Sequence, residues 1–201
     1  MNMIKQYINL YKNPLRFFKW EAETNYVRLI TFFLAPVLIL FLSEILFSII
    51  AQENINLERV LFILIFLIGS VIISLTLLFL YSAVTHLGVL VVKKKALFLN
   101  SFKAAIFGFV TLIPYLFLLM IISFFSLYFF SQQNSIYAAL SLIVPVVGYS
   151  HALIIQILAI FYYHRIGVLK SFLSVVIPLL LLLLITVGIV FISLIMSYQP
   201  V

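Results

Sequence analysis

Five long apolar runs, set apart by short polar links, organise this chain of 201 residues. They fall at about 29–51, 60–83, 104–130, 137–163 and 172–197. Each reaches the roughly 20 apolar residues that a helix needs to cross a bilayer core. The links are brief: QENINLE after the first run, SQQNSI after the third and HRIGVLKS after the fourth. Short links make successive helices antiparallel neighbours. The pattern predicts an all-α, polytopic transmembrane bundle of five spans over residues 29–201. A polar segment, residues 1–28, precedes it. The first run starts too late and is too long for the core of a signal peptide, so it is expected to stay as a span.

The second run is too long for its task. From Val60 to Val92 a helix would extend about 50 Å, against a bilayer core of about 30 Å. Tyr81, Ser82, Thr85 and His86 are therefore expected at the membrane interface, with Gly88 as a bend. LGVLVV would then run along the headgroup boundary or lean into other helices.

The first 28 residues have helical patterning of their own. Ile4, Tyr7, Ile8 and Tyr11 share one face. Asn13 and Pro14 form a helix start, Asn as N-cap and Pro at the first helical position. A stripe of Leu15, Phe18, Ala22 and Tyr26 follows. With Arg16, Lys19 and Trp20 beside it, the segment reads as an amphipathic helix lying in the interface, or as a docking platform for a cytosolic partner.

Four spans contain a proline: Pro36, Pro114, Pro145 and Pro178. Proline lacks the N–H that a helix interior uses, so each marks a kink. Pro36 and Pro178 each follow a base, Arg28 and Lys170, by eight residues. Pro114 follows Lys103 by eleven. Spans one, three and five are thus expected to bend at comparable depth. Small residues four apart occur at Ser70/Ser74, Ala104/Gly108 and Gly148/Ala152, and permit close helix contact.

Composition agrees with the pattern. The chain is 66% hydrophobic and 8% charged, where a soluble domain is about 45–50% apolar and about 25% charged. Absence of cysteine excludes disulfides, thiolate metal sites and cysteine nucleophiles. The net charge of +7 would suggest nucleic acid in a soluble protein. Here the bases alternate between links. Lys5, Lys12, Arg16, Lys19 and Arg28 precede span one. Lys93, Lys94, Lys95 and Lys103 lie between spans two and three, and Arg165 and Lys170 between four and five. The opposite side holds Arg59 alone, beside Glu53 and Glu58. The positive-inside rule places the N-terminus in the cytoplasm and the C-terminus outside an inner or plasma membrane. The same bases suit anionic lipid headgroups or an acidic partner. Contacts of either kind are expected at Arg16, Lys19, Trp20, Lys93, Lys94, Lys95, Lys103, His164, Arg165 and Lys170.

Candidates for chemistry are few. There is no aspartate, and of the glutamates only Glu44 falls within a span. An intramembrane carboxyl is costly and marks a functional candidate. His151 sits near the middle of span four, close to Gln156. Ser150 beside His151 is no catalytic couple, because adjacent helical residues point about 100° apart. No nucleophile constellation, phosphate loop or zinc motif occurs, so a non-enzymatic protein without metal or cofactor is expected. The competing class is a small transporter or permease subunit, with a polar route through Glu44, Ser70, Ser74, His151 and Gln156.

The arrangement resembles the Yip-domain family, five-span membrane proteins that interact with Ypt/Rab small GTPases. The likeness rests on NPLRFF at 13–18, THL at 85–87, SFKAA at 101–105 leading to IPYL at 113–116, and YHRIGVLKSFLSVVIP at 163–178. It covers essentially the whole chain. With only 28 residues before the first span, the chain is similar to a short, prokaryotic-type form. The resemblance implies partner binding or membrane organisation at the cytoplasmic face. The partners expected are the anionic bilayer surface, a cytosolic or membrane protein, and further copies of the chain itself. Nucleic acid is not among them.

Overall fold

The structure, a computed structural model, describes residues 3–50, 57–129 and 135–197. Side chains at 3–4, 44, 47–50, 57–60, 62–64, 126–129, 135–136, 182–183, 185–186 and 189–197 lie outside that description. Among the described residues there are seven helices and no strand: α1 (Met3–Lys12), α2 (Pro14–Trp20), α3 (Tyr26–Ile50), α4 (Leu57–Val92), α5 (Phe98–Phe129), α6 (Ser135–His164) and α7 (Val168–Ser197). Stretches of four of them, Tyr26–Ser43, Ile65–Val92, Phe98–Phe125 and Tyr137–His164, are long and apolar enough to cross a membrane. In α7 the corresponding described stretch is shorter, Val168–Leu181. This is the make-up of an integral, multi-pass membrane protein.

Two helices, α2 and α3, start on asparagine. Asn13 accepts a hydrogen bond from the Arg16 N–H (3.3 Å), with Pro14 at the first helical position. Asn25 does the same for the Arg28 N–H at the start of α3 (3.1 Å). In both, the asparagine oxygen satisfies an N–H that has no partner inside the helix. The expected stripe from Leu15 to Tyr26 is therefore interrupted. A turn over 21–23 separates α2 from α3, which leaves Leu15 and Tyr26 exposed while Phe18 is fully buried.

Helix α4 runs unbroken for 36 residues to Val92, and LGVLVV leans against α7 at Gly88, the second of the two courses expected for it. Gly88 serves close packing there. A methyl added there would meet the Ser174 carbonyl oxygen at 1.9 Å and Pro178 at 2.6 Å.

Helix α5 is the hub. It packs against α1, α3, α4 and α6, and every residue from Ser101 to Gly108 is buried. The small pairs foreseen on α5 and α6 face each other, since a Cβ on Gly108 would lie 3.5 Å from the Ala152 carbonyl oxygen. An aromatic core fills the space around the hub. Phe107 meets Phe17 edge-on at 5.0 Å and stacks on Phe18 at 5.6 Å. Farther along the spans, large side chains such as Ile65, Ile72 and Leu142 stand exposed, as apolar surface facing lipid does.

Candidate functional site

Proline removes the N–H that would bond the carbonyl four residues earlier. Pro36 so frees the carbonyl of Phe32, and Pro114 frees that of Val110. The structure supplies both with donors from α1. The Tyr7 hydroxyl donates to the Phe32 carbonyl at 2.5 Å. The Tyr11 hydroxyl donates to the Val110 carbonyl at 3.1 Å and lies 3.3 Å from that of Thr111. Tyr7 and Tyr11 are four apart and share one face of α1, so a single helical turn serves two freed carbonyls in different helices. The Tyr7 ring also stacks on Phe32 at 4.4 Å. Burial raises the pKa of both phenols above the ordinary tyrosine value, which keeps the donors protonated throughout the neutral range. Tyr115 and Tyr7 push Tyr11 further in the same direction. Pro178 frees the carbonyl of Ser174, and there the close neighbour is Gly88 of α4.

The polar groups gather most densely where the α2–α3, α4–α5 and α6–α7 links meet. Lys103 is 1% exposed. Its ammonium donates to the carbonyls of Glu21 (3.1 Å) and Ala22 (2.5 Å), just past the end of α2, and lies 5.2 Å from the centre of the Tyr163 ring. The buried Glu21 carboxylate accepts from Arg28 at 3.0 Å, from Gln6 at 3.2 Å and from the Thr24 hydroxyl. The last carbonyls of α6 are capped likewise. Lys93 donates to the His164 carbonyl (2.6 Å), and the Asn100 amide to that of Tyr163 (3.2 Å). A cation at a helix C-terminus satisfies an orphan carbonyl and complements the helix dipole.

The histidines of α4 and α6 meet through α5. Ser101 Oγ lies 3.1 Å from His86 Nδ1 and 3.1 Å from His164 Nε2. Deeper in the bundle, the Tyr81 hydroxyl donates to Gln156 Oε1 (2.7 Å), and Gln156 Nε2 donates to Thr85 (3.2 Å). Tyr115 and His151 Nδ1 are 2.9 Å apart. Among the described residues no group of three or more potential ligands could hold a metal ion.

The candidate contacts separate by this geometry. Lys103 and His164, each 1% exposed, are turned into the protein, because both close gaps between helix ends. Lys93 is half-buried and engaged. Arg16, Lys19, Trp20, Lys94, Lys95, Arg165 and Lys170 remain exposed. Arg165 adopts a left-handed φ of 51° where α6 stops. It lines a cavity of about 750 Å³ together with Ala22, Asn100, Tyr162 and Gly167. Of the polar route considered for transport, His151 and Gln156 bond to partners on neighbouring helices, and Ser70 and Ser74 are half-buried on α4. The Glu44 side chain and the links at 51–56 and 130–134 lie outside the described residues. An apolar cleft of about 330 Å³, with Leu112, Tyr149 and Leu153 among its walls, adjoins Gln156.

Comparison with family models, with curated proteins and with solved structures finds no match.

Proposed function

We propose that this is a non-enzymatic membrane protein of the Yip-domain kind, with five spans, α7 as the fifth, and the basic end in the cytoplasm. Its work is to bind a partner, or to organise the membrane, at that end. One observation carries the reading: the basic α4–α5 and α6–α7 links meet the turn after α2 at one end of the bundle and leave Lys94, Lys95, Arg165 and Lys170 exposed there, with Arg165 lining an open cavity. Deeper in the bundle Gln156 is bonded to Tyr81 and Thr85, and His151 to Tyr115, which favours a binding surface over a conducting route.

The test is crosslinking in native membranes, followed by extraction and mass spectrometry, with the intact chain and with Lys94 and Lys95 both changed to Gln. Lys93 is kept because it caps α6. A stoichiometric protein partner that weakens in the variant supports the reading. Crosslinks to lipid and to copies of the chain alone, unchanged in the variant, reject a partner docked on these lysines.

A further inference from the structure

The α1–α2 pair has two unlike faces. Inward, Tyr7 and Tyr11 bond the Phe32 and Val110 carbonyls, and Leu10, Phe17 and Phe18 are fully buried. These contacts fix the roll of both helices. Outward, they leave Lys5, Lys12, Arg16 and Lys19 exposed. Three large apolar side chains are interleaved with them: Ile8 at 46% exposure, Leu15 at 45% and Trp20 at 44%. The Arg16 guanidinium sits 4.8 Å from the centre of the Trp20 ring. Neither helix contains an acidic residue. Of the two carboxylates in the turn that follows, Glu21 is buried and paired with Arg28, and Glu23 is exposed.

We propose that this outer face binds the anionic phospholipid headgroups of the surrounding leaflet. The chemistry is complementary on two counts. Four cations attract phosphate-rich headgroups. The apolar side chains between them fit the boundary where headgroup meets acyl chain, and tryptophan favours that depth. A water-facing surface would gain nothing from Ile8, Leu15 and Trp20. A protein groove would bury the four cations at a heavy desolvation cost. The inference rests on the basic end lying at a bilayer surface and needs no protein partner.

The sequence provides its own probe, because Trp20 is the single tryptophan. The full chain is reconstituted into vesicles of phosphatidylcholine and phosphatidylglycerol at one fixed ratio, with bromine placed on either lipid in turn. Trp20 quenching per brominated lipid should be several-fold stronger from phosphatidylglycerol. The preference should vanish at about 1 M salt, where the Debye length is about 3 Å. Changing Lys5, Lys12, Arg16 and Lys19 together to Gln should make the two lipids equal, whereas Lys94→Gln with Lys95→Gln should leave the preference in place. Equal quenching in the unaltered protein at low salt overturns the proposal, as does a preference abolished by the Lys94 and Lys95 changes. If the crosslinking above finds lipid and copies of the chain alone while the lipid preference is intact, the partner reading is rejected and this one stands.

Discussion

Removing the Tyr7 hydroxyl, while keeping its ring, isolates one interaction. Tyr7→Phe preserves the stack on Phe32 (4.4 Å) and deletes the donor to the Phe32 carbonyl. That carbonyl has no helical donor, because residue 36 is proline. A buried acceptor left unsatisfied costs about 1–3 kcal/mol, and Tyr7→Phe should destabilise the protein by that amount. On a Pro36→Ala background the helix regains its own N–H, and the same change should then cost less than about 0.5 kcal/mol. The coupling between Tyr7 and Pro36 is thus about 1–2 kcal/mol, within the range for directly interacting groups. Tyr11 should couple equally to Pro114, whose freed carbonyl it reaches at 3.1 Å. The crossed pairs, Tyr7 with Pro114 and Tyr11 with Pro36, should be nearly additive. Equilibrium unfolding in mixed detergent micelles, read by circular dichroism, measures all four cycles. An equal cost of Tyr7→Phe with and without Pro36, or coupling as large in the crossed pairs, would refute the assignment of each tyrosine to its proline.

Other outcomes follow from the same contacts. Gly88→Ala should destabilise by about 1–3 kcal/mol, as overpacking does, because the methyl meets backbone at 1.9 Å; Gly69→Ala, with nothing within 4 Å, should be stabilising by up to about 1 kcal/mol. Thermal unfolding of the two variants side by side checks the contrast. Lys103→Met keeps the chain length but strips the Glu21 and Ala22 carbonyls of their donor, at about 1–3 kcal/mol; Lys94→Met, at an exposed position, should stay within about 0.5 kcal/mol by the same assay. Folding holds the Tyr7 and Tyr11 protons above the ordinary pKa of 10.0. Their contribution is therefore full below that pH and declines above it, as the unfolded chain ionises first. Unfolding midpoints taken toward alkaline pH should fall less steeply for the double Tyr7→Phe, Tyr11→Phe variant.

Apolar run length and the placement of bases made much of the helical layout legible, since a span must be continuous and apolar whatever it packs against. The Asn13–Pro14 start was equally legible, because capping is local chemistry. What escaped was the partner of each polar group. Lys103 reads as one more interfacial base, yet it is buried on the carbonyls that follow α2, over 80 residues away in sequence. His86 and His164 stand on different helices, and only the placing of Ser101 between them makes them neighbours. Nor does the sequence show that the bare Cα of Gly88 admits the α7 backbone. The prolines at 36 and 114 were visible, but the tyrosines that serve the carbonyls they free were not. Two tyrosines four apart, ahead of two proline-bearing spans, were a signal only once freed carbonyls were counted as demands.

The carbonyls freed by Pro36, Pro114 and Pro178 meet different neighbours. At Pro36 and Pro114 the freed carbonyls are covered by side chains of one peripheral helix. At Pro178 the freed carbonyl lies against the backbone of α4. A displacement of α1 would uncover two carbonyls at once and leave the third where it is. Helices α3 and α5 thus share one support in α1, on which the contact between α4 and α7 does not depend.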